Sequence, residues 1–167
     1  IQTLLMDTMF NSPSSVVVDS SGVIHIAYTS QLGTDSSVKE VWYANNSSGT
    51  FAFNQVTSNG VREEFPYLFI GPDDVVHLAF HTGAATSNFI RYVNSDMVPL
   101  LQAGEADIVD ITAPGFIKVK GAAAADGTTH FVYYNQTAAF DDIFYSSWTA
   151  SGGATAPVNL SSGNNPG

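Results

Sequence analysis

A six-residue pattern occurs three times in this chain of 167 residues, each time with a histidine in its third position. The copies read VIHIAY (23–28), VVHLAF (75–80) and TTHFVY (128–133). Their histidines, His25, His77 and His130, are 52 and 53 residues apart. A period of about fifty residues is typical of proteins that repeat one supersecondary unit. This repeat constrains the fold more than any other feature of the sequence.

Each unit contains four short apolar segments with the composition of β-strands. The first follows a proline, the second carries the histidine, the third is aromatic and the fourth is shorter. The segments are 13–19, 23–28, 40–45 and 51–57, then 66–71, 75–80, 89–94 and 98–103, then 114–121, 128–133, 142–147 and 156–162. Turns rich in Gly, Ser and Asp between the first two segments favour hairpins. We interpret GAAAADG (121–127) as a strand end with a small insertion.

The aromatic segments follow the histidines at a nearly constant distance. Tyr43, Tyr92 and Tyr145 come 18, 15 and 15 residues after their histidines. We therefore place the repeats at approximately 13–57, 65–103 and 114–162. An extra outer strand is expected at 2–12, where the composition matches a fourth segment.

Four strands per unit at this period predict an all-β fold, a β-propeller with four-stranded antiparallel blades, of which this chain holds about three. The strands are apolar on both sides, as expected for sheets covered on both faces. Propellers close with about four to eight blades, so three blades leave two apolar faces bare. We expect either a half propeller that pairs with another copy or a fragment of a longer six- or seven-bladed chain.

The charge excludes several partners. Five Lys and Arg stand against fifteen Asp and Glu, which gives a net charge of −10. Nucleic acid and anionic membrane surfaces would be repelled, whereas cations are compatible ligands. The sequence contains no apolar run of about 18 residues, so it predicts no membrane-spanning helix. Sequons at Asn45, Asn46, Asn135 and Asn159 favour a secreted or cell-surface location.

The segments PSSVVVDSSGVIHIAYTS and VWYANNSSGTF, within 13–51, resemble the sialidase-like (BNR-type) β-propeller repeat proteins of bacterial surfaces. The resemblance implies a six- or seven-bladed propeller, usually secreted, in a family that includes lectins, adhesion modules and glycosidases. Two departures are clear. The acidic turn DSSGVIH (19–25) lies between the first two strands, whereas the family's Asp-box follows the third. Sialidases also need three arginines, and this chain has only Arg62 and Arg91.

Three groups of residues are candidate sites. Arg62, Glu63 and Glu64 precede a first strand, where propeller loops line the ligand face, and Trp148 falls outside the repeat and near a loop. Glu105, Asp107 and Asp110 offer the oxygen ligands that calcium prefers. The histidines could in principle share a metal, but equivalent positions in successive blades lie well apart. We expect them to be structural markers that bond to the backbone of the adjacent blade.

These observations predict a noncatalytic extracellular binding or scaffolding module, with carbohydrate as the first specific ligand to be considered. Aromatic and Asn/Asp-rich loops offer stacking surfaces and hydrogen bonds to sugar hydroxyls. The alternatives are a glycoside hydrolase whose site is completed by a partner chain or missing residues, and a structural subunit of a surface assembly. No cofactor is expected other than calcium, and the expected partners are further copies or the remainder of a longer propeller chain, and a glycan.

Overall fold

The computed structural model describes residues 11–31, 37–84, 87–112, 116–136 and 141–161, which form an all-β fold. The strands are β1 (Asn11–Val18), β2 (Ile24–Gln31), β3 (Lys39–Asn45), β4 (Ala52–Gln55), β5 (Glu63–Ile70), β6 (Val76–Ala84), β7 (Ser87–Asn94), β8 (Val109–Thr112), β9 (Phe116–Ala123), β10 (Thr129–Gln136), β11 (Asp141–Thr149), β12 (Gly153–Ala154) and β13 (Val158–Asn159). One turn of 3-10 helix spans Glu105–Asp107. No α-helix occurs in the described ranges.

The strands form three antiparallel sheets in chain order. The first sheet is β1-β2-β3-β4, the second is β5-β6-β7-β8, and the third is β9-β10-β11-β12 with β13 also paired to β11. Each sheet is a meander joined by short turns. The turn between β1 and β2 closes when the amide of Gly22, at φ +86°, donates to the carbonyl of Asp19. Each of the three histidines lies on the second strand of its own sheet.

The fourth strand of the second sheet corrects the sequence prediction. Residues 98–103 form bends and turns instead of a strand, and the fourth strand is Val109–Thr112. Pro99 cannot donate to a strand ladder, and its carbonyl instead accepts the amide of Gln102 at 2.7 Å. Leu100 and Ala103 are apolar because this turn is packed into the core.

Two further expectations concern the ends of the repeat. Of the fourth strand expected at 156–162, only the two residues of β13 are found there, and the two-residue strand β12 pairs with β11 ahead of that range. GAAAADG does supply a strand end, since β9 continues to Ala123 before the turn. Of the extra strand expected at 2–12, residues 2–10 lie outside the described residues, and the last two belong to β1.

Two hydrophobic cores lie between the sheets. The first core joins the first and second sheets around Tyr43, Leu68 and Leu78. The second core joins the second and third sheets around Tyr92 and Phe131. The second sheet is therefore covered on both faces. This explains why its histidine strand, VVHLAF, is buried at every residue instead of alternating.

Candidate functional site

A cluster of charged side chains lies where β5 begins, at one end of the first and second sheets. The Glu63 carboxylate is fully buried and accepts hydrogen bonds from Asn59 Nδ2 at 2.9 Å and Arg91 Nη1 at 3.2 Å. Burial raises the pKa of Glu63 to about 7, although Asn59 and Arg91 oppose the shift. A carboxyl group with this pKa is partly protonated at neutral pH.

Glu64, the next residue, points to the other side of β5 and is also buried. Its Oε1 atom is 2.7 Å from Lys39 Nζ and 2.8 Å from Arg62 Nη2. Burial alone would raise the pKa of Glu64, but hydrogen bonds from Arg62 and Lys39, together with their charges, bring the pKa below its ordinary value. Glu64 is thus an ionised carboxylate held by two cations, of which only Arg62 is half exposed.

Arg91 connects the cluster to the loop in which calcium ligands are predicted. Its Nη1 atom lies 2.9 Å from Glu105 Oε2, and its Nε atom lies 2.9 Å from Asp110 Oδ1. Asp107 instead accepts the amide of Gly104 at 2.9 Å. Within the described parts of the chain, no group of three His, Asp or Glu side chains is arranged to hold a metal. Glu105 and Asp110 therefore serve as partners of Arg91, and the geometry lends the calcium prediction no support.

Trp148, which the sequence offered as a ligand contact, is buried in the structure. Sequence reasoning suggested contact with a ligand because this residue falls outside the repeat. In the structure it lies on β11 with 8% of its surface exposed, and its ring is 5.1 Å from the ring of Tyr92. It belongs to the second core, so its role is packing between sheets.

The three histidines do not converge, and each bonds within its own sheet. Nδ1 lies within hydrogen-bond distance of a tyrosine hydroxyl in the pairs His25–Tyr43 (2.5 Å), His77–Tyr92 (2.7 Å) and His130–Tyr145 (2.8 Å). The expectation of a structural marker therefore fits this geometry, but the expected partner was wrong. It is a side chain on the neighbouring strand and not the backbone of the adjacent sheet.

The first pair extends to an acidic residue at the β1–β2 turn. His25 Nε2 lies 3.2 Å from Asp19 Oδ2. The pKa of Asp19 is lowered to about 2, chiefly by the Ser21 hydroxyl, with further hydrogen bonds from the Val23 amide and His25. In the second sheet Gly71 takes the place of this aspartate, so the acidic extension is not a constant part of the repeat.

A cleft of about 240 Å³ lies between the first strands of the sheets and was not predicted from the sequence. It is lined by Ser15 of β1, Phe65–Tyr67 of β5 and Lys118–Lys120 of β9. Lys118 Nζ lies 5.3 Å from the centre of the Phe65 ring, and Lys120 Nζ lies 4.0 Å from that of Tyr67. Among the described residues, neither lysine forms an ion pair with a carboxylate.

The backbone beside this cleft is strained. Phe65 has φ +55°, a left-handed conformation that is uncommon for a bulky residue, in a bulge between Glu64 and Tyr67. Strained residues of this kind cluster at ligand sites. Lys118 and Lys120 flank the buried Val119 and mark one exposed side of β9, but no sequence signal showed that β5 would place aromatic rings opposite it.

No protein-family model matches this sequence, and comparison with curated proteins finds no match. Among the residues that the structure describes, no helix has the length and apolar character needed to cross a membrane.

Proposed function

We propose that the chain is a noncatalytic extracellular binding module, that its sheets are consecutive propeller blades, and that the cleft between β1, β5 and β9 binds carbohydrate. The observation that carries the proposal is this cleft, in which two lysines without carboxylate partners among the described residues face two aromatic rings. Because the chain has a net charge of −10, these two cations mark a local site for an anionic group.

The stacking of the sheets supports the propeller. Successive sheets pack face to face in chain order, with β1 against β5 and β5 against β9. The first strands are therefore neighbours, as they are around the axis of a propeller. Ligand sites in such folds lie where loops and strand ends of several blades meet, and the cleft draws on all three sheets.

The chemistry of the cleft favours a sugar that carries a carboxylate or sulfate group. Lysine ammonium groups attract such anions, and the aromatic rings of Phe65 and Tyr67 beneath the two lysines hold these groups at the wall of the cleft. The Ser15 hydroxyl is a further polar group at the wall. Secretion or display at the cell surface fits a glycan-binding role and the sequons.

An enzyme is the second candidate, and one observation favours it. Glu63 has the raised pKa expected of a general acid in a glycoside hydrolase. Against this, its carboxyl group is fully buried, and Glu64 is held by Lys39 and Arg62. A glycosidase needs two carboxyl groups that flank the substrate, so this role requires a partner chain or further residues to open and complete the site. A purely structural subunit is the third possibility.

The binding proposal is tested by calorimetry with neutral and acidic oligosaccharides, chosen from a glycan array. The double variant K118Q/K120Q should lose binding to the acidic ligand at least tenfold. The control T50D/S151D changes the net charge by the same amount at two exposed turn residues and should bind normally. The proposal is contradicted if both variants lose affinity for the acidic glycan equally, or if the parent binds no acidic glycan. Turnover that E63Q abolishes would establish the hydrolase instead.

A further inference from the structure

The two faces of each sheet differ in a constant way. One face carries the histidine and its tyrosine partner, and we call it the histidine face. Residues two positions from the histidine, such as Ala27 in the first sheet and Ala79 in the second, lie on this face. Residues next to the histidine, such as Leu78 and Phe131, lie on the other side, which we call the reverse face.

Both internal interfaces join a histidine face to a reverse face. Ala27 and Tyr43, on the histidine face of the first sheet, share a core with Leu68 and Leu78 on the reverse face of the second. Ala79 and Tyr92, on the histidine face of the second sheet, share a core with Phe131 and Tyr133 on the reverse face of the third. The Tyr92 hydroxyl also lies 3.1 Å from Thr129 Oγ1 across this second interface.

Among the residues that the structure describes, the pattern leaves one face of each kind uncovered. On the third sheet the histidine face exposes Val132, Ile143 and Val158. Val132 and Val158 lie on either side of Tyr145, and Lys120, opposite Val132, is on the same face. On the first sheet the reverse face exposes Val16 and Val18, opposite Ile26 and Ile24. These five valine and isoleucine side chains are 40–63% exposed, which is unusual for aliphatic residues on the flat side of a sheet.

We propose that these two faces bind each other between copies of this chain, with the histidine face of the third sheet on the reverse face of the first sheet of a second copy. The contact continues the arrangement already present at both internal interfaces, so it needs no new kind of packing. It joins two different surfaces and is therefore heterologous. Two chains closed in this way contain six sheets, within the range of about four to eight blades in propellers.

This inference rests on the propeller proposed above only for closure of the ring, and its test needs no carbohydrate. An alternative contact between two histidine faces would be isologous. It would leave both reverse faces with Val16 and Val18 uncovered, and neither internal interface provides an example of it. The heterologous contact covers both kinds of face.

Mass in solution, measured by sedimentation velocity at about 1–100 µM without added sugar, tests the proposal, because this range detects association of micromolar affinity or tighter. The parent chain should sediment as two copies, or as longer head-to-tail assemblies if the ring does not close. V16D and V132D should each reduce or abolish the closed dimer. M97D, which alters an exposed apolar residue in the turn after β7, should leave the mass unchanged.

Mixing the V16D and V132D chains distinguishes the heterologous contact from the isologous one. The V16D chain keeps an intact histidine face on its third sheet, and the V132D chain keeps an intact reverse face on its first sheet. Mixed together, they should form a dimer through the one undamaged pair of faces. This dimer should exceed the one that either variant forms alone. The milder variants V16S and V132S should weaken association without adding charge, and circular dichroism verifies that every variant is folded.

A parent chain that is monomeric at 100 µM overturns the proposal, as does a dimer that both aspartate variants leave intact. A dimer lost in V132D but kept in V16D would indicate the isologous contact instead. Carbohydrate binding is measured on the parent chain and not on V132D, because Val132 is the register partner of Lys120 and an aspartate there would lie beside that lysine.

Discussion

The Ser15 hydroxyl on β1 accepts a hydrogen bond of 2.9 Å from the amide of Leu68 on β5. The amide lies on a strand at the edge of the second sheet, where no ladder partner is available. A side chain of the first sheet therefore satisfies a backbone donor of the second. This bond fixes the relative position of two first strands beside the cleft.

Replacement of Ser15 with alanine should lower the free energy of unfolding by about 1–3 kcal/mol, because the part-buried Leu68 amide loses its acceptor. Urea unfolding measures the loss. S48A, at an exposed turn serine, is the matched control and should change stability by less than about 0.5 kcal/mol. Equal stability of S15A and the parent would show that the bond does not join the sheets.

Truncation of Arg91 to alanine should lower the free energy of unfolding by about 1–3 kcal/mol, because the buried Glu63 loses a hydrogen-bond donor and its cation. R62A is the control, since Arg62 is half exposed and Glu64 keeps Lys39. Thermal unfolding compares the two. If R62A is as damaging as R91A, burial does not determine the strength of these pairs.

The raised pKa of Glu63 predicts a pH dependence. The folded state holds this proton up to about pH 7, whereas the unfolded state releases it near the ordinary value of 4.5. The contribution of Glu63 to the free energy of unfolding therefore falls as pH rises from 4.5 to 7 and is constant above that range. E63Q should remove this fall, seen as a flatter stability profile between pH 5 and 7 than that of the parent. An unchanged profile would mean that Glu63 titrates normally.

The lowered pKa of Asp19 predicts a change of stability with pH in the opposite direction. Its pKa is lowered to about 2, so its stabilising contribution is complete above the unfolded value of 3.8 and is lost as pH falls toward 2. D19N should show less loss of stability between pH 4 and pH 2 than the parent. D96N, at an exposed turn residue, is the comparison. Parallel curves for D19N and the parent would contradict the assignment.

The tyrosine hydroxyls of the repeat offer a comparison within one molecule. Tyr92 OH contacts His77, Asn94 and Thr129 in a fully buried position, whereas Tyr145 OH contacts His130 in a part-buried one. Y92F should cost about 1–3 kcal/mol and Y145F less, because more buried polar partners lose their bond in Y92F. Unfolding by urea ranks the two variants. A larger effect of Y145F would be the contrary result.

The sequence predicted the first three strands of every sheet because alternation, turn residues and the histidine period reinforced each other. It failed at 98–103, where Val98, Leu100 and Leu101 are apolar because a turn enters the core, and an apolar run alone does not separate the two cases.

The candidate site was less predictable. The sequence named Glu63 and Glu64 as candidate ligand-binding residues but could not show their burial, because Glu63 is paired with Arg91, which is 28 residues away and approaches only in the fold. The cleft combines β1, β5 and β9, so no local pattern could reveal it.

The matching of histidine face to reverse face has a consequence for the history of the gene. A tandem duplication that inserts one whole repeat adds a sheet between two others. The added sheet offers a reverse face to the sheet before it and a histidine face to the sheet after it, as at the existing interfaces. Chain length can then change in whole repeats while every junction is preserved, so relatives with different numbers of sheets are accessible by single genetic events.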